Sequence, residues 1–183
     1  ARDQAYGVLD GELGALLADK LAAASGFRLL GFWDNGFRHF SNRVRPIRTP
    51  EDCAGLRIRT LFSELHTDTF KLLGFDPVQL DVKELISAVH GGEIDAQDNP
   101  LTNIFNFDIH KFHRHIPLSS HFFGAAAVLC HKDSYDAWPV ETRQAVDRAV
   151  LEATTAQRGF ASAEDAHVMT QLNPSENDIV ELT

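Results

Sequence analysis

Two arginines and one asparagine have the chemistry to hold a small organic anion. Arg38, Arg59 and Asn99 lie in three short, separate segments of the chain. A guanidinium stays charged at physiological pH and offers parallel N–H donors that match the two oxygens of a carboxylate. A nearby asparagine can donate to the same anion without adding charge. These residue types indicate that the chain binds an acid rather than transforms it.

The same arginines have a simpler interpretation. Residues 38–59 contain six arginines and no lysine, which is also what a solvated face with local salt bridges would show. From side-chain chemistry alone both interpretations stay open. We assign the remaining four arginines, Arg43, Arg45, Arg48 and Arg57, to the structural one.

The composition excludes several classes of function. With 183 residues, 44% of them apolar and 23% charged, the chain has enough material for one substantial core or two small lobes. Its 17 basic and 26 acidic residues give a net charge of −9, which argues against a nucleic-acid partner. No stretch reaches the ~18 uncharged apolar residues that a spanning helix requires, so we expect no direct membrane insertion.

One group of side chains suggests a metal. His110, His113 and His115 are close in sequence, and imidazoles at such spacings can converge on zinc. A metal-dependent enzyme using these histidines is therefore the alternative function. The group lacks a completing cysteine and does not follow the His-Glu-x-x-His pattern, so a solvated turn explains it more simply.

Other catalytic patterns are absent from the sequence. There is no Gly-x-Ser-x-Gly elbow and no phosphate-binding Gly-x-x-x-x-Gly-Lys loop, and neither Cys53 nor Cys130 sits in a nucleophile motif. Asp95 and Asp98 could act as acid and base, but turn formation before Pro100 is the plainer role. We expect no enzyme activity, no catalytic residue, no resident metal and no cofactor.

Hydrophobic periodicity and capping signals predict an alternating α/β chain. We expect helices at 9–24, 63–73, 81–91 and 140–172, a helical turn at 49–52, and strands at 27–32, 38–40, 56–60, 77–80, 94–97, 116–119, 122–130 and 178–182. Such alternation predicts a mostly parallel sheet flanked by helices. Ligands of such sheets bind beyond the carboxyl ends of the strands, where Arg59 and Asn99 would lie.

Five segments in this order resemble the substrate-binding subunits of tripartite ATP-independent periplasmic (TRAP) transporters. They are residues 36–42 (GFRHFSN), 45–52 (RPIRTPED), 55–59 (GLRIR), 73–77 (LGFDP) and 95–100 (DAQDNP). Ser120-His121 also falls at the usual place, and the likeness continues more weakly through the long helix. Any one segment alone is a weak signal, but their combination is specific.

The resemblance implies a periplasmic-binding-protein-like fold of two lobes that closes on an organic acid. Such a protein delivers its acid to membrane permease subunits driven by an ion gradient, which places it in the periplasm. In that family the arginine at Arg59 forms the main salt bridge with the ligand carboxylate. The asparagine at Asn99 donates to the ligand, and the arginine at Arg38 supports the same anion or a second polar group.

This chain departs from the family pattern at several points. It has Asp98 where many members have glutamate, and Ile86 where a tyrosine is common. It begins partway through the pattern, so we expect a fragment with an incomplete first lobe: residues 1–34 as a remnant of that lobe, 35–121 as the second lobe with most of the ligand site, and 122–183 as a return strand, long helix and C-terminal segment. The sequence does not determine which acid is bound.

Overall fold

The computed structural model describes residues 1–182. Its helices are α1 (Arg2–Leu9), α2 (Glu12–Ala24), α3 (Glu64–Leu72), α4 (Val82–Gly91), α5 (Leu101–Asn106), α6 (Lys132–Ala137) and α7 (Val140–Gln171). Its strands are β1 (Phe27–Asn42), β2 (Arg57–Thr60), β3 (Asp76–Gln79), β4 (Ala96–Pro100), β5 (His115–Leu118), β6 (Phe122–His131) and β7 (Asp178–Glu181). Short 3₁₀ turns occupy Pro50–Cys53 and Ile109–Lys111.

The chain folds into two compact units. The first contains residues 1–35 and 123–163, and the second contains residues 36–122 together with the chain from residue 164 onward. Both β1 and α7 contribute residues to each unit. The division into three consecutive segments given above stays a prediction.

The second unit is built on a mixed sheet with the strand order β3-β2-β4-β1-β5-β7. Strand β2 runs parallel to β3 and β4, and β7 runs parallel to β5. Strand β1 is antiparallel to β4 and β5. The parallel β2–β4 pair brings the carboxyl ends of the two strands that carry Arg59 and Asn99 to the same edge.

Two groups of buried apolar side chains stabilise this sheet. One draws on α4, α5, β5 and the end of α7, and its members include Leu85, Ile104, Ile116 and Val168. The other draws on β1, β2, α3 and the neighbouring turns, and its members include Phe40, Ile58, Phe70 and Phe75. Burial of such side chains is the main favourable term in folding.

The local sequence determines both ends of helix α4, which lies just before strand β4 in the chain. The carboxylate of Asp81 accepts from the backbone N–H of Lys83, and the Glu84 side chain accepts from the backbone N–H of Asp81. The helix ends at Gly91, and the capping residue Gly92 has a φ of +69°, in the left-handed region. The acidic N-cap and glycine stop were both readable from the sequence.

The first unit packs helices against the first half of β1, which pairs with β6. The Trp33 indole donates to the Thr154 hydroxyl at 3.1 Å, and Gln157 exchanges hydrogen bonds with the backbone of Asp34. Gly31 lies beneath α7, where a Cβ would come within 3.3 Å of the Thr154 oxygen. These contacts fix the strand beneath the long helix.

Two sequence predictions for the first 42 residues were wrong in detail. The helix predicted at 9–24 is α2, which begins three residues later, and its side chains Leu13, Leu16 and Leu17 are 46%, 50% and 41% exposed in the structure. Helix α1, which precedes it, was not predicted. The strands predicted at 27–32 and 38–40 are one strand of 16 residues. Strand β1 continues through Gly36. The φ of +94° at this residue favours glycine, but it does not end the strand.

Several other predictions were confirmed. The helix predicted at 140–172 is α7, and the alanine-rich stretch at 125–127 lies in strand β6 although alanine favours helices. No helix within residues 1–182 combines the length and apolar character needed to cross a bilayer.

We predict that Gly92→Ala lowers the free energy of unfolding by about 1 to 2 kcal/mol, because an L-residue is strained in the left-handed region. A Cβ there would also overlap the Arg43 guanidinium, which would have to move. Urea titration of the two proteins measures the difference.

The matched control for this prediction is Gly91→Ala. Gly91 is the last residue of α4, has no positive φ, and a Cβ there would meet only the Glu93 side chain at 3.6 Å. Alanine should therefore raise stability slightly, by about 0.5 kcal/mol. Equal effects of the two substitutions would contradict the role given to Gly92.

Candidate functional site

Strand pairing places three polar side chains in one row across the centre of the second unit. Arg59 on β2 pairs with Gln97 on β4, and Gln97 pairs with Ser41 on β1. Directly paired residues project from the same face of a sheet, and so do residues two apart along one strand. Asn99 therefore shares this face with Arg59, one step nearer the carboxyl end of β4.

Arg59 is a buried cation with an unused donor. The residue is 1% exposed, and its Nε donates to the backbone carbonyl of Leu80 at 2.9 Å. Its Nη2 is buried and has no hydrogen-bond partner, and within residues 1–182 no carboxylate forms an ion pair with the guanidinium. Such a group is costly to bury without an anion.

The electrostatics of Arg59 follow from that burial. Desolvation lowers the pKa of the guanidinium, and the positive charge of Arg38 lowers it further. The carboxylates of Asp98 and Asp81 act in the opposite direction. The site therefore favours an additional negative charge next to Arg59.

Asn99 belongs to a buried chain of hydrogen bonds. Its Nδ2 donates to Gln97 Oε1 at 2.5 Å, and Gln97 Nε2 donates to the Ser41 hydroxyl at 2.6 Å. The Ser41 oxygen lies 3.0 Å from Nδ1 of His113. Asn103 makes a longer contact of 3.5 Å with the Asn99 carbonyl oxygen. The amide of Asn99 is thus held by its own protein from one side.

Arg38 is engaged with Asp98. Its Nε donates to Asp98 Oδ2 at 2.5 Å, and its Nη2 donates to the backbone carbonyl of the same residue. His121 Nε2 lies 3.5 Å from Asp98 Oδ2, and its ring stacks on Phe40 with 4.1 Å between centroids. Burial alone would raise the pKa of Asp98, but the adjacent His121 ring and the Arg38 guanidinium outweigh it and lower that pKa to about 2.

The three predicted site residues do not all lie on the same face of the sheet. Arg59 and Asn99 share one face of the sheet through Gln97. Arg38 projects from the opposite face of the sheet, which also carries Asp98. Asp98 pairs with Phe40 on β1, and Phe40 lies two residues after Arg38, on the same face. Arg38 is nevertheless near enough for its charge to act on Arg59.

Two of the four arginines assigned to structural roles, Arg57 and Arg45, have side-chain partners within the protein. Arg57 forms a salt bridge with Asp95 at 2.9 Å, and Arg45 donates to the backbone carbonyls of Asp52 and Ala54. The turn-forming role expected of Asp98 was wrong. Asp98 lies within β4, and its carboxylate is buried against Arg38 rather than exposed at a turn.

The three histidines of the alternative function do not converge. His110 stacks on Phe105, and His115 pairs with Asp178 at 3.1 Å, while His113 is buried beside Ser41. Throughout the described chain, residues 1–182, no group of three or more His, Cys, Asp or Glu side chains could hold a metal ion. The metal-dependent alternative is therefore not supported.

Three residues of this site were not identified from the sequence. Gln97, Ser41 and His113 are fully buried and connect the predicted ligand donor to the interior. The alternation of Gln97 and Asn99 along one strand was a usable signal, because two polar residues at that spacing must share a face. The partners of Gln97 depend on cross-strand register, which the sequence did not show.

Comparison with known proteins identifies the class. The family model described as bacterial extracellular solute-binding protein, family 7, matches residues 1–183, and the chain belongs to that family. Its members are solute-binding proteins of TRAP transporters, found outside the cytoplasm, and are not enzymes. The resemblance carried by the five sequence segments is confirmed.

Particular relatives place the chain within this family. The C4-dicarboxylate-binding periplasmic protein DctP of Rhodobacter capsulatus is 32% identical over 158 residues, which are 86% of this chain and 47% of that protein. A TRAP periplasmic solute-binding protein of Polaromonas sp. JS666 bound to D-erythronate is 31% identical, with a TM-score of 0.92 over 99% of this chain and 59% of that one.

A second solved relative has a different acid. The TRAP periplasmic solute-binding protein of Sulfurospirillum deleyianum with bound succinate is also 31% identical, with a TM-score of 0.91 over 100% of this chain and 60% of that one. The matched structures are two-lobed, which agrees with the predicted fold class. The chain spans about half the length of the curated relatives it matches.

We predict that Asp98→Asn lowers the free energy of unfolding by about 3 kcal/mol, because it leaves Arg38 buried without its counter-charge. Chemical denaturation measures the loss. The matched control is Asp136→Asn, which breaks the solvent-exposed Lys132–Asp136 pair and should change stability little. A small effect at Asp98 would contradict the burial and pairing described for it.

We predict a stability loss on acidification that depends on His113. Burial lowers the pKa of His113 from 6.5 to about 4, so the unfolded chain binds more protons between those values. Stability therefore rises with pH through this window and is lost as the pH falls through it. Between pH 7 and pH 5 this histidine should account for roughly 2 kcal/mol of lost stability.

The check on this prediction is His113→Asn, which removes the titrating group. Its unfolding free energy should fall less than that of the unsubstituted protein between pH 7 and pH 5, as measured by urea titration at both values. Parallel pH dependences would show that His113 is not held neutral by the fold.

Proposed function

We propose that this protein captures a small organic acid outside the cytoplasm and delivers it to a TRAP-type membrane permease. The carboxylate of the acid pairs with Arg59, Asn99 donates to the same anion, and Arg38, whose charge Asp98 balances, supports the same anion or a second polar group of the ligand. The single observation that carries the proposal is the buried Nη2 of Arg59, which has no partner within the described residues.

The charges around the site favour one carboxylate at Arg59. Arg38 is neutralised by Asp98, whereas the charge of Arg59 has no such partner. An incoming carboxylate would supply the missing counter-charge and accept from the unused N–H. A neutral solute of the same size would leave that donor unpaired, which costs affinity and gives selectivity for acids.

Relatives support the chemical class but not one acid. Solved relatives hold D-erythronate and succinate, and a further relative is a C4-dicarboxylate-binding protein. All are organic carboxylates. The permease partner and the periplasmic location are inferred for this chain from its membership of a family of TRAP solute-binding proteins.

A thermal-shift panel on the full-length protein tests the ligand class. The panel contains succinate, D-erythronate and D-galacturonate, with erythritol and inorganic sulfate as comparisons. A ligand at a hundred times its Kd raises the unfolding free energy by about 2.7 kcal/mol, so a bound acid should raise the melting temperature measurably. Stabilisation by erythritol or sulfate equal to that by every acid would contradict the proposal.

We predict that Arg59→Met abolishes acid binding without unfolding the protein. The lost charged contact should raise Kd by at least about a hundredfold in calorimetry, using the panel acid with the largest thermal shift. Stability without ligand should be unchanged or higher, because an apolar side chain of similar volume replaces an uncompensated buried cation.

The matched control is Arg57→Met on the same strand. Arg57 lies two residues before Arg59, at the exposed end of the strand, and forms a salt bridge with Asp95. Its replacement should change Kd by less than about threefold. An unchanged affinity in Arg59→Met would remove Arg59 from the site.

A further inference from the structure

The buried hydrogen-bond chain behind Asn99 has a defined direction. Asn99 donates to Gln97, Gln97 donates to Ser41, and the Ser41 hydroxyl is held by His113. We name these four residues the relay. We propose that Gln97, Ser41 and His113 are positioning residues that fix which end of the Asn99 amide faces the ligand. This inference rests on the proposed contact between Asn99 and the acid.

The direction of the relay follows from the chemistry of its amides. A side-chain amide has donors at one end and an acceptor at the other, so its partner determines its orientation. Gln97 turns Oε1 towards Asn99 Nδ2 and Nε2 towards the Ser41 oxygen at 2.6 Å, so the Ser41 hydroxyl hydrogen is left to donate to His113 Nδ1. Reversing Gln97 would set its N–H groups against those of Asn99, and neither could then accept.

Burial prevents water from replacing these partners. Ser41, Gln97 and His113 are each 0% exposed, whereas Asn99, at the end of the relay, is 5% exposed. A buried group that loses its partner bears the full cost of desolvation. The relay is therefore held in one arrangement before any acid arrives.

The consequence for binding concerns the second N–H of Asn99. One hydrogen on Nδ2 is used by Gln97, and the other stays available to an anion. If the amide were free to rotate, half of its orientations would present oxygen to the carboxylate and repel it. Preorganisation of this kind reduces the cost of binding.

The relay lies in the same row as Arg59. Gln97 is the direct strand partner of Arg59 on one side and of Ser41 on the other. A change in Ser41 thus reaches the site through one side chain, with no change to the arginine itself. This geometry makes Ser41 the position at which the relay can be broken with least disturbance to the contact with the acid.

A double-mutant cycle tests the proposal. In the full-length protein, calorimetry with D-erythronate is compared for the unsubstituted chain, Ser41→Ala, Asn99→Ala and both together. Ser41→Ala should raise Kd about five- to tenfold, as expected for loss of one oriented hydrogen bond. In the Asn99→Ala background it should raise Kd by less than twofold, because no amide is left to orient. An unchanged Kd in Ser41→Ala, or the same rise in both backgrounds, overturns the proposal.

Two substitutions at position 113, one polar and one apolar, test the role of His113. His113→Asn keeps polar atoms next to Ser41 and should bring Kd close to that of the unsubstituted protein, whereas His113→Leu should resemble Ser41→Ala. Val168→Ala, which truncates a buried side chain of the apolar core, controls for general loss of stability and should lower the melting temperature without changing Kd. Equal affinity in the asparagine and leucine variants overturns the role of His113.

Side-chain amide exchange measured by NMR needs no ligand. The Asn99 side-chain hydrogens should exchange with solvent about tenfold faster in Ser41→Ala, and an unchanged rate overturns the relay. Arg59→Met separates this inference from the proposed function. If Arg59→Met leaves Kd unchanged while the cycle is non-additive, carboxylate capture by Arg59 fails and the relay is upheld.

Discussion

The cost of burying one positive charge governs the second unit. A guanidinium that is 1% exposed must be held by fixed dipoles or by an anion, and Arg59 has one backbone carbonyl and an unused N–H. Strand β2 places it beside β4, and the carbonyl of Leu80, just beyond β3, holds its Nε. The fold thus supplies a rigid frame around a cation that a ligand would complete.

The neighbouring charges are arranged so that they do not complete it. Asp98 is the carboxylate that acts most strongly on the charge of Arg59, but it is paired with Arg38 and lies 3.5 Å from His121 Nε2. The charges of Arg38 and Asp98 balance each other on one face of the sheet. The net positive charge of the neighbourhood therefore comes from Arg59 on the other face. A carrier needs this kind of partial compensation, because full neutralisation within the protein would remove the driving force for binding an acid.

Part of this arrangement could be read from the sequence. The long helix, the cap and glycine stop of α4, and the strand ends that carry Arg59 and Asn99 follow from local patterns. The motif combination gave the family. These features depend on residues close together in the chain, where periodicity and capping have a direct physical meaning.

The features that the sequence did not predict depend on contacts between residues that are far apart in the chain. Arg38 and Asp98 are 60 positions apart, and Ser41 and His113 are 72 positions apart, so their pairing requires the sheet register. Helix α1 was missed because none of its residues is buried, so it carries no apolar face that periodicity could reveal. The leucines of α2 do fit a helical stripe, although the structure leaves several of them exposed. Gly36 resembles a turn residue but lies within an uninterrupted strand.

The pleat of β4 has a consequence for substitutions along it. Gln97 and Asn99 project from one side of this strand, while Asp98 projects from the other into an ion pair that the fold needs. A substitution at position 99 therefore acts on the side of the strand that also carries Arg59, whereas a substitution at position 98 removes the counter-charge of Arg38. One short strand thus separates, residue by residue, the side chains facing a candidate ligand from those that hold the sheet together.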